Sequence, residues 1–158
     1  MRQVMLDSAE HHFALTHRGR ELLERLTAMQ GETITKLWAD HARSLPMLID
    51  ATSRVTGAAG RELPRARYPA FNLMHAAPDP PAATPAHLLL TRLTTLRYLR
   101  ADAHAAAWSD RGLVAPHADA LERQAIEADT NANAAPPWST LTPNDRASVL
   151  AALTDLNG

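Results

Sequence analysis

The chain has 158 residues, 16 basic against 17 acidic side chains, and no cysteine. This length suits one domain with a modest core. The composition excludes disulfide bridges, thiolate metal sites and a cysteine nucleophile, and the near-zero net charge excludes a strongly basic nucleic-acid binder in the overall balance. Because no apolar run is long enough to span a membrane and the first residues do not form a secretory signal, we expect a cytoplasmic protein.

The residue types favour helices throughout most of the chain. Aromatic residues make up only 4%, and the abundant alanine, leucine and arginine are strong helix formers. Residues 3–15 alone are typical of strands, with two brief runs around the polar turn 7–10. The sequence therefore predicts an all-α bundle of about five helices with a short N-terminal β-hairpin. We expect a wing-like hairpin over residues 1–16 and a helical bundle domain over residues 17–158.

The first two helices are predicted from apolar spacing and from capping residues. Thr16 is a suitable N-cap for a long helix over 17–43, in which apolar residues recur every three or four positions. A second helix is expected over 46–56, ended by Gly57 and Gly60. The following segment, 58–84, is rich in proline and is predicted to be irregular.

The second half of the chain carries three more predicted helices. Thr84 and Pro85 are a typical helix start, and the third helix is expected to run to residue 110. A fourth helix is predicted over 116–131 and a rigid connector over 134–138. Thr142, followed three residues later by Asp145, is a variant of the capping box and predicts a last helix ending near residue 156.

Two stretches resemble known families. The segment FALTHRGRELL at 13–23 resembles the end of a winged-helix domain of the MarR type, where the second wing strand finishes in Leu-Thr-x-x-Gly before a long helix. The segments LRYLRADAHAAAW at 96–108, IEADTN at 126–131 and PPW at 136–138 are similar to the C-terminal regions of actinobacterial MarR-like proteins, and to helical bundles of the DinB type. The resemblance implies a regulator body rather than a particular chemistry.

The chain departs from the winged-helix pattern in its first residues. A complete winged-helix domain carries about three helices before the wing, one of which reads the major groove. Here only about ten residues precede the wing-like segment, and its turn carries Asp7 and Glu10 where phosphate contact would favour basic residues. The sequence is either the C-terminal part of a regulator or a separate helical protein with a residual hairpin.

The favoured function is the effector-binding and dimerising body of a MarR-like transcriptional regulator, in which helix packing creates an apolar pocket. On an ideal helix Arg100, His104 and Trp108 share one stripe, which either binds an anionic or aromatic ligand or is a solvated face. We expect a homodimer, a small apolar or aromatic ligand, no cofactor, and DNA contact only with an upstream helix-turn-helix. The predicted ligand-binding residues are Leu26, Trp38, Leu96, Arg100, His104 and Trp108.

Two alternatives remain open from the sequence. The first is a metal-dependent enzyme with a DinB-like bundle, in which histidines from separate elements, such as His41 and His104, converge on a metal. Since no two histidines are three or four residues apart, one helix face cannot supply two such ligands. The second alternative is a small adaptor that contributes only a helical dimer surface. An enzyme is therefore the less favoured reading, and no catalytic or metal-binding residue is predicted.

Overall fold

The computed structural model describes residues 14–112 and 119–156, which contain six α-helices and three short 3₁₀ turns. The all-α prediction is confirmed for these residues, with one helix more than expected. The predicted hairpin falls almost entirely on residues 1–13, which lie outside the described part, while 14–16 are described and form no strand. Among the described helices, none has the length and apolar character needed to cross a membrane.

The first helix, α1 (His17–Leu37), begins where the sequence predicts. The Thr16 hydroxyl accepts a hydrogen bond from the backbone N–H of Gly19 at 3.1 Å, as expected of an N-cap. The helix ends six residues before the predicted position 43, because Trp38 leaves helical geometry and a 3₁₀ turn, Ala39–His41, follows. Only Gly31 and Ile34 of α1 are buried, so most of this helix stands at the surface.

The second helix, α2 (Leu45–Glu62), is longer than predicted. Gly57 and Gly60 do not end it, because the helix continues through both, and Gly60 serves close packing instead. A Cβ atom on Gly60 would lie only 2.5 Å from the ring of His75.

The proline-rich segment 58–84, predicted to be irregular, is largely helical. It contains the end of α2, a 3₁₀ turn at Arg65–Arg67 and α3 (Pro69–Ala76), so 77–84 is its longest stretch without a helix. No side chain caps α3 from its own N-cap position. Instead the carboxylate of Asp102 accepts a bond from the backbone N–H of Phe71 at 2.8 Å, which satisfies one of the free donors of the first turn.

The fourth helix, α4 (Pro85–Asp110), is the central element. The predicted cap is confirmed, since the Thr84 hydroxyl accepts a bond from the backbone N–H of His87 at 3.2 Å. The helix contacts α1, α2 and α3, as well as α5 (Ala120–Ala134). Its buried residues therefore point in several directions, whereas the sequence predicts one core face.

The chain closes with a 3₁₀ turn, Pro136–Thr140, and α6 (Pro143–Asp155). The predicted capping box of α6 is confirmed: the Thr142 hydroxyl accepts from the backbone of Asp145, and the Asp145 carboxylate accepts from the backbone of Thr142. The expected start of the helix before it, at 116, lies outside the described residues, and that helix ends at 134 rather than 131.

The core lies on two sides of α4. One cluster joins α1, α2, α4 and α6, with Leu48, Val55 and Leu89 fully buried. The other joins α2, α3 and α4 around Phe71 and Leu99. The N-terminal half of α1 and the loop 77–84 take little part in either cluster, and a large space opens between them.

Candidate functional site

The six residues predicted to bind a ligand are spread over several places in the structure. Leu26 lies on the exposed side of α1, with 53% of its surface accessible. Trp38 and Leu96 pack against the main core cluster. Trp108 packs against a small cluster formed by Ala107 and Ile126, between α4 and α5. Leu26 and Leu96 therefore do not line one shared pocket, contrary to the expectation from the sequence.

Leu96 and Arg100 line a groove of about 550 Å³ bounded by α4, the end of α5 and Trp138. Its walls are mainly aliphatic. The guanidinium of Arg100 donates to the carboxylate of Glu127 on α5 at 2.6 Å, and both side chains are about half exposed. Arg100 therefore joins α4 to α5 at the surface and is not free for an anionic ligand.

His104 and Trp108 take part in a hydrogen-bonded chain that selects one tautomer of the neutral imidazole. The indole N–H of Trp108 donates to Nε2 of His104 at 2.8 Å. Because Trp has no acceptor, Nε2 must accept and the proton of the neutral ring lies on Nδ1. That N–H faces the Thr130 hydroxyl at 2.9 Å, which in turn donates to the carbonyl of Ile126 at 2.8 Å. The chain locks α4 to α5 and leaves His104 little capacity for a ligand.

A large cavity, about 1010 Å³, lies between α1 and the segment 78–84. One wall is the face of α1 around Leu23, Ala28 and Gly31. The opposite wall is made by prolines and Ala82, whose φ of 52° is unusual for a residue other than glycine. A turn with a hydrogen bond from the backbone N–H of Ala83 to the carbonyl of Pro80 holds this geometry. Strained backbone of this kind is often found at binding sites.

His87 forms the inner end of this cavity. It belongs to the first turn of α4 and is only 5% exposed. Its ring lies directly against the backbone of Gly31, where a Cβ atom would come within 2.8 Å of Nδ1. Real Cβ atoms do not approach so closely, so α1 and α4 reach this separation only because residue 31 is glycine.

The charges around the cavity nearly balance. The α1 wall carries two cations, Arg20 and Lys36, and two anions, Glu24 and Glu32. On the other wall Asp79 accepts two hydrogen bonds from Arg92, at 2.5 and 2.8 Å, and these bonds hold the pKa of the Asp79 carboxyl below its ordinary value. The cavity is therefore apolar, with a charged and largely neutralised margin.

Sequence reasoning missed this cavity for an identifiable reason. It interpreted 78–84 as part of a long irregular loop and took the apolar stripe of α1 as one core face. Two signals were available: Gly31 in the middle of a long helix, which costs stability unless something packs against it, and His87 just after a helix start. Neither signal shows that these two residues contact each other, because they are far apart in the chain.

The predicted alternative of a histidine metal site finds no group of ligands in the described ranges. No set of three or more His, Asp or Glu residues there is placed to hold a metal ion. His41 instead contacts Asp155 at 2.9 Å, and His104 belongs to the chain described above.

Comparison with known proteins adds no relative. No family model matches the chain, and neither the curated proteins nor the solved structures contain a significant match. The function must therefore be argued from the cavity and from the surface of α1.

Proposed function

We propose that this chain is the effector-binding and dimerising body of a MarR-like transcriptional regulator. The observation that carries the proposal is the position of α1, which borders the large cavity with one face and exposes an apolar stripe on the other. A ligand in the cavity and a second copy on the stripe would bind the same helix. Each would then influence the other through the position of α1.

The cavity supports the binding of a small apolar or aromatic effector. Its volume of about 1010 Å³ is at the upper end of the range of about 300–1,000 Å³ typical of small-molecule sites. Three prolines, two leucines and two alanines form the apolar part of its walls, and the polar and charged lining residues can fix orientation. We place the effector between α1 and 78–84 rather than between Leu26 and Leu96.

The exposed stripe of α1 supports the homodimer. At 3.6 residues per turn, Leu22, Leu26 and Met29 lie about 140–180° around the helix from Gly31, which faces α4. Their exposed fractions are 58%, 53% and 64%. A helix of this length is only marginally stable without tertiary contacts, and α1 buries just two of its residues. A second copy laid along the stripe would bury both stripes at once.

An antiparallel arrangement of the two copies offers a pairing of opposite charges. One flank of the stripe carries Arg18 and Arg25 towards the N-terminus, and Glu32 and Lys36 towards the C-terminus. An antiparallel pair brings these arginines near Glu32 of the second copy, whereas a parallel pair places the charged flank opposite uncharged residues. A two-fold axis near Leu26 would make this contact self-complementary.

Light scattering and crosslinking test the dimer. We expect a dimer in solution that Leu26→Glu dissociates, because the substitution places a charge at the centre of the interface. Leu150→Glu is the matched control, since Leu150 is 68% exposed but lies on α6. A monomeric wild-type protein, or equal dissociation by both substitutions, would contradict the proposal.

The absence of cysteine makes the orientation testable by single-cysteine variants. In the antiparallel pair, two copies of Leu26→Cys lie close together and a short bismaleimide joins them. Two copies of Leu37→Cys would be about 33 Å apart, from 1.5 Å of rise per residue over eleven residues on each side of Leu26, and would stay unlinked. Crosslinking through both positions would indicate a parallel pair.

Thermal-shift measurements across a library of apolar metabolites test effector binding separately. A ligand that binds only the folded state raises the melting temperature with its concentration. Leu23→Glu, which puts a charge into the cavity wall, should abolish the shift, whereas Leu121→Glu on the exposed surface of α5 should not. If no apolar compound shifts the wild-type protein, the effector part of the proposal fails.

A further inference from the structure

His87 is a buried polar side chain whose ring has no hydrogen-bond partner among the described residues. Its backbone is satisfied, since its N–H donates to Thr84 and its carbonyl accepts from the Thr91 hydroxyl at 3.0 Å. The imidazole makes no such contact within the parts of the chain that the structure describes, although it is only 5% exposed. Among the described residues no fully buried side-chain nitrogen or oxygen lacks a partner, so the ring nitrogens of His87 reach the space of the cavity that this residue lines.

We infer that His87 is the polar anchor of the effector site, and that the effector is a neutral apolar molecule carrying one hydroxyl group that hydrogen-bonds to this imidazole. The inference rests on the cavity of the proposed function and adds the chemistry that selects its ligand. A hydroxyl both donates and accepts, so it pairs with the neutral imidazole in either tautomer.

The surroundings of the cavity favour a neutral ligand over an ionic one. The two cations and two anions on the α1 wall offset each other, and Asp79 is already bonded to Arg92. Transfer of an ion into an apolar cavity requires a dedicated counter-charge, whereas the charges of this lining are balanced in number or already paired. A hydroxyl needs only one partner, and the rest of the molecule then gains from burial against proline and leucine.

The matched pair 1-naphthol and naphthalene tests the inference, because the two differ only in the hydroxyl. We expect wild-type protein to bind 1-naphthol about 3–10-fold more tightly in equilibrium dialysis, the factor given by one net hydrogen bond. His87→Leu should bind both compounds with similar affinity, because the apolar walls remain and the anchor is lost. The control His17→Leu places the same residue on the exposed start of α1 and should keep the wild-type preference.

A second measurement does not depend on any variant folding. In wild-type protein, 1-naphthol should shift the imidazole ¹⁵N resonances of His87, and naphthalene should leave their hydrogen-bonding pattern unchanged. Equal affinity of the wild-type protein for both compounds, or a His87 ring insensitive to 1-naphthol, would overturn the inference while leaving the effector cavity in place. Failure of both compounds to bind would overturn the inference and the proposed cavity together, and the dimer would be judged separately.

Discussion

Glycines at two helix positions give opposite expectations for the same substitution. Gly31 and Gly57 both lie inside helices, where alanine is intrinsically favoured over glycine by about 1 kcal/mol. A Cβ atom at Gly57 would meet only the flexible end of Arg61, at 3.3 Å. A Cβ atom at Gly31 would lie 2.8 Å from Nδ1 of the buried His87 ring. Both substitutions to alanine therefore gain the same helix propensity, but only the one at Gly31 causes a steric clash.

The expected magnitudes follow from these two terms. Gly57→Ala should raise the free energy of unfolding by about 0.5–1 kcal/mol. For a chain of this size, each kcal/mol raises the melting temperature by about 2–4 °C. Gly31→Ala gains the same helix term but must displace α1 or the ring, and overpacking of this kind costs about 1–3 kcal/mol. We expect Gly31→Ala to be about 1–3 kcal/mol less stable than Gly57→Ala.

Urea denaturation of the two variants, followed by circular dichroism, measures this difference. The double variant Gly31→Ala/His87→Ala completes a mutant cycle, and removal of the ring should recover much of the loss caused by the first substitution. If Gly31→Ala is as stable as Gly57→Ala and shows no coupling to His87, the close packing of α1 on α4 is refuted. The placement of His87 at the inner end of the cavity would be refuted with it.

Three further predictions concern polar contacts. Asp102→Ala should destabilise the fold by about 1–3 kcal/mol in urea denaturation, because it leaves the buried N–H of Phe71 unpaired, and Asp102→Asn, which keeps an acceptor oxygen, should lose less. Nitrogen NMR should find the proton of neutral His104 on Nδ1, and Trp108→Phe should abolish that preference because it removes the donor to Nε2. The pKa of Asp79 is lowered chiefly by its hydrogen bonds from an arginine, so its carboxylate stabilises the fold above about pH 4 and this contribution is lost as the pH falls through the lowered pKa. Asp79→Asn should remove that part of the acid dependence in pH-dependent melting, by less than about 1 kcal/mol because the side chain is 43% exposed.

The sequence by itself determined the helical class and most helix starts. Thr16, Thr84 and Thr142 were each predicted as N-caps, and each accepts the expected hydrogen bond from three residues further on. Such caps are readable because the donor and the acceptor lie within one turn of each other, so the signal is local. The predicted MarR-like resemblance and the regulatory role stay proposals.

Only the tertiary structure decided where the chain can bind a ligand. Gly57 and Gly60 resemble helix ends in the sequence, yet both lie inside α2. Glycine permits close packing as well as chain reversal, and at Gly60 it allows the close approach of the His75 ring. In the same way Gly31 and His87 are 56 positions apart in the numbering of the chain, and their contact depends on how α1 rests on α4. Periodicity within one helix shows which residues share a face, but the partner of that face is set by the distances between helices.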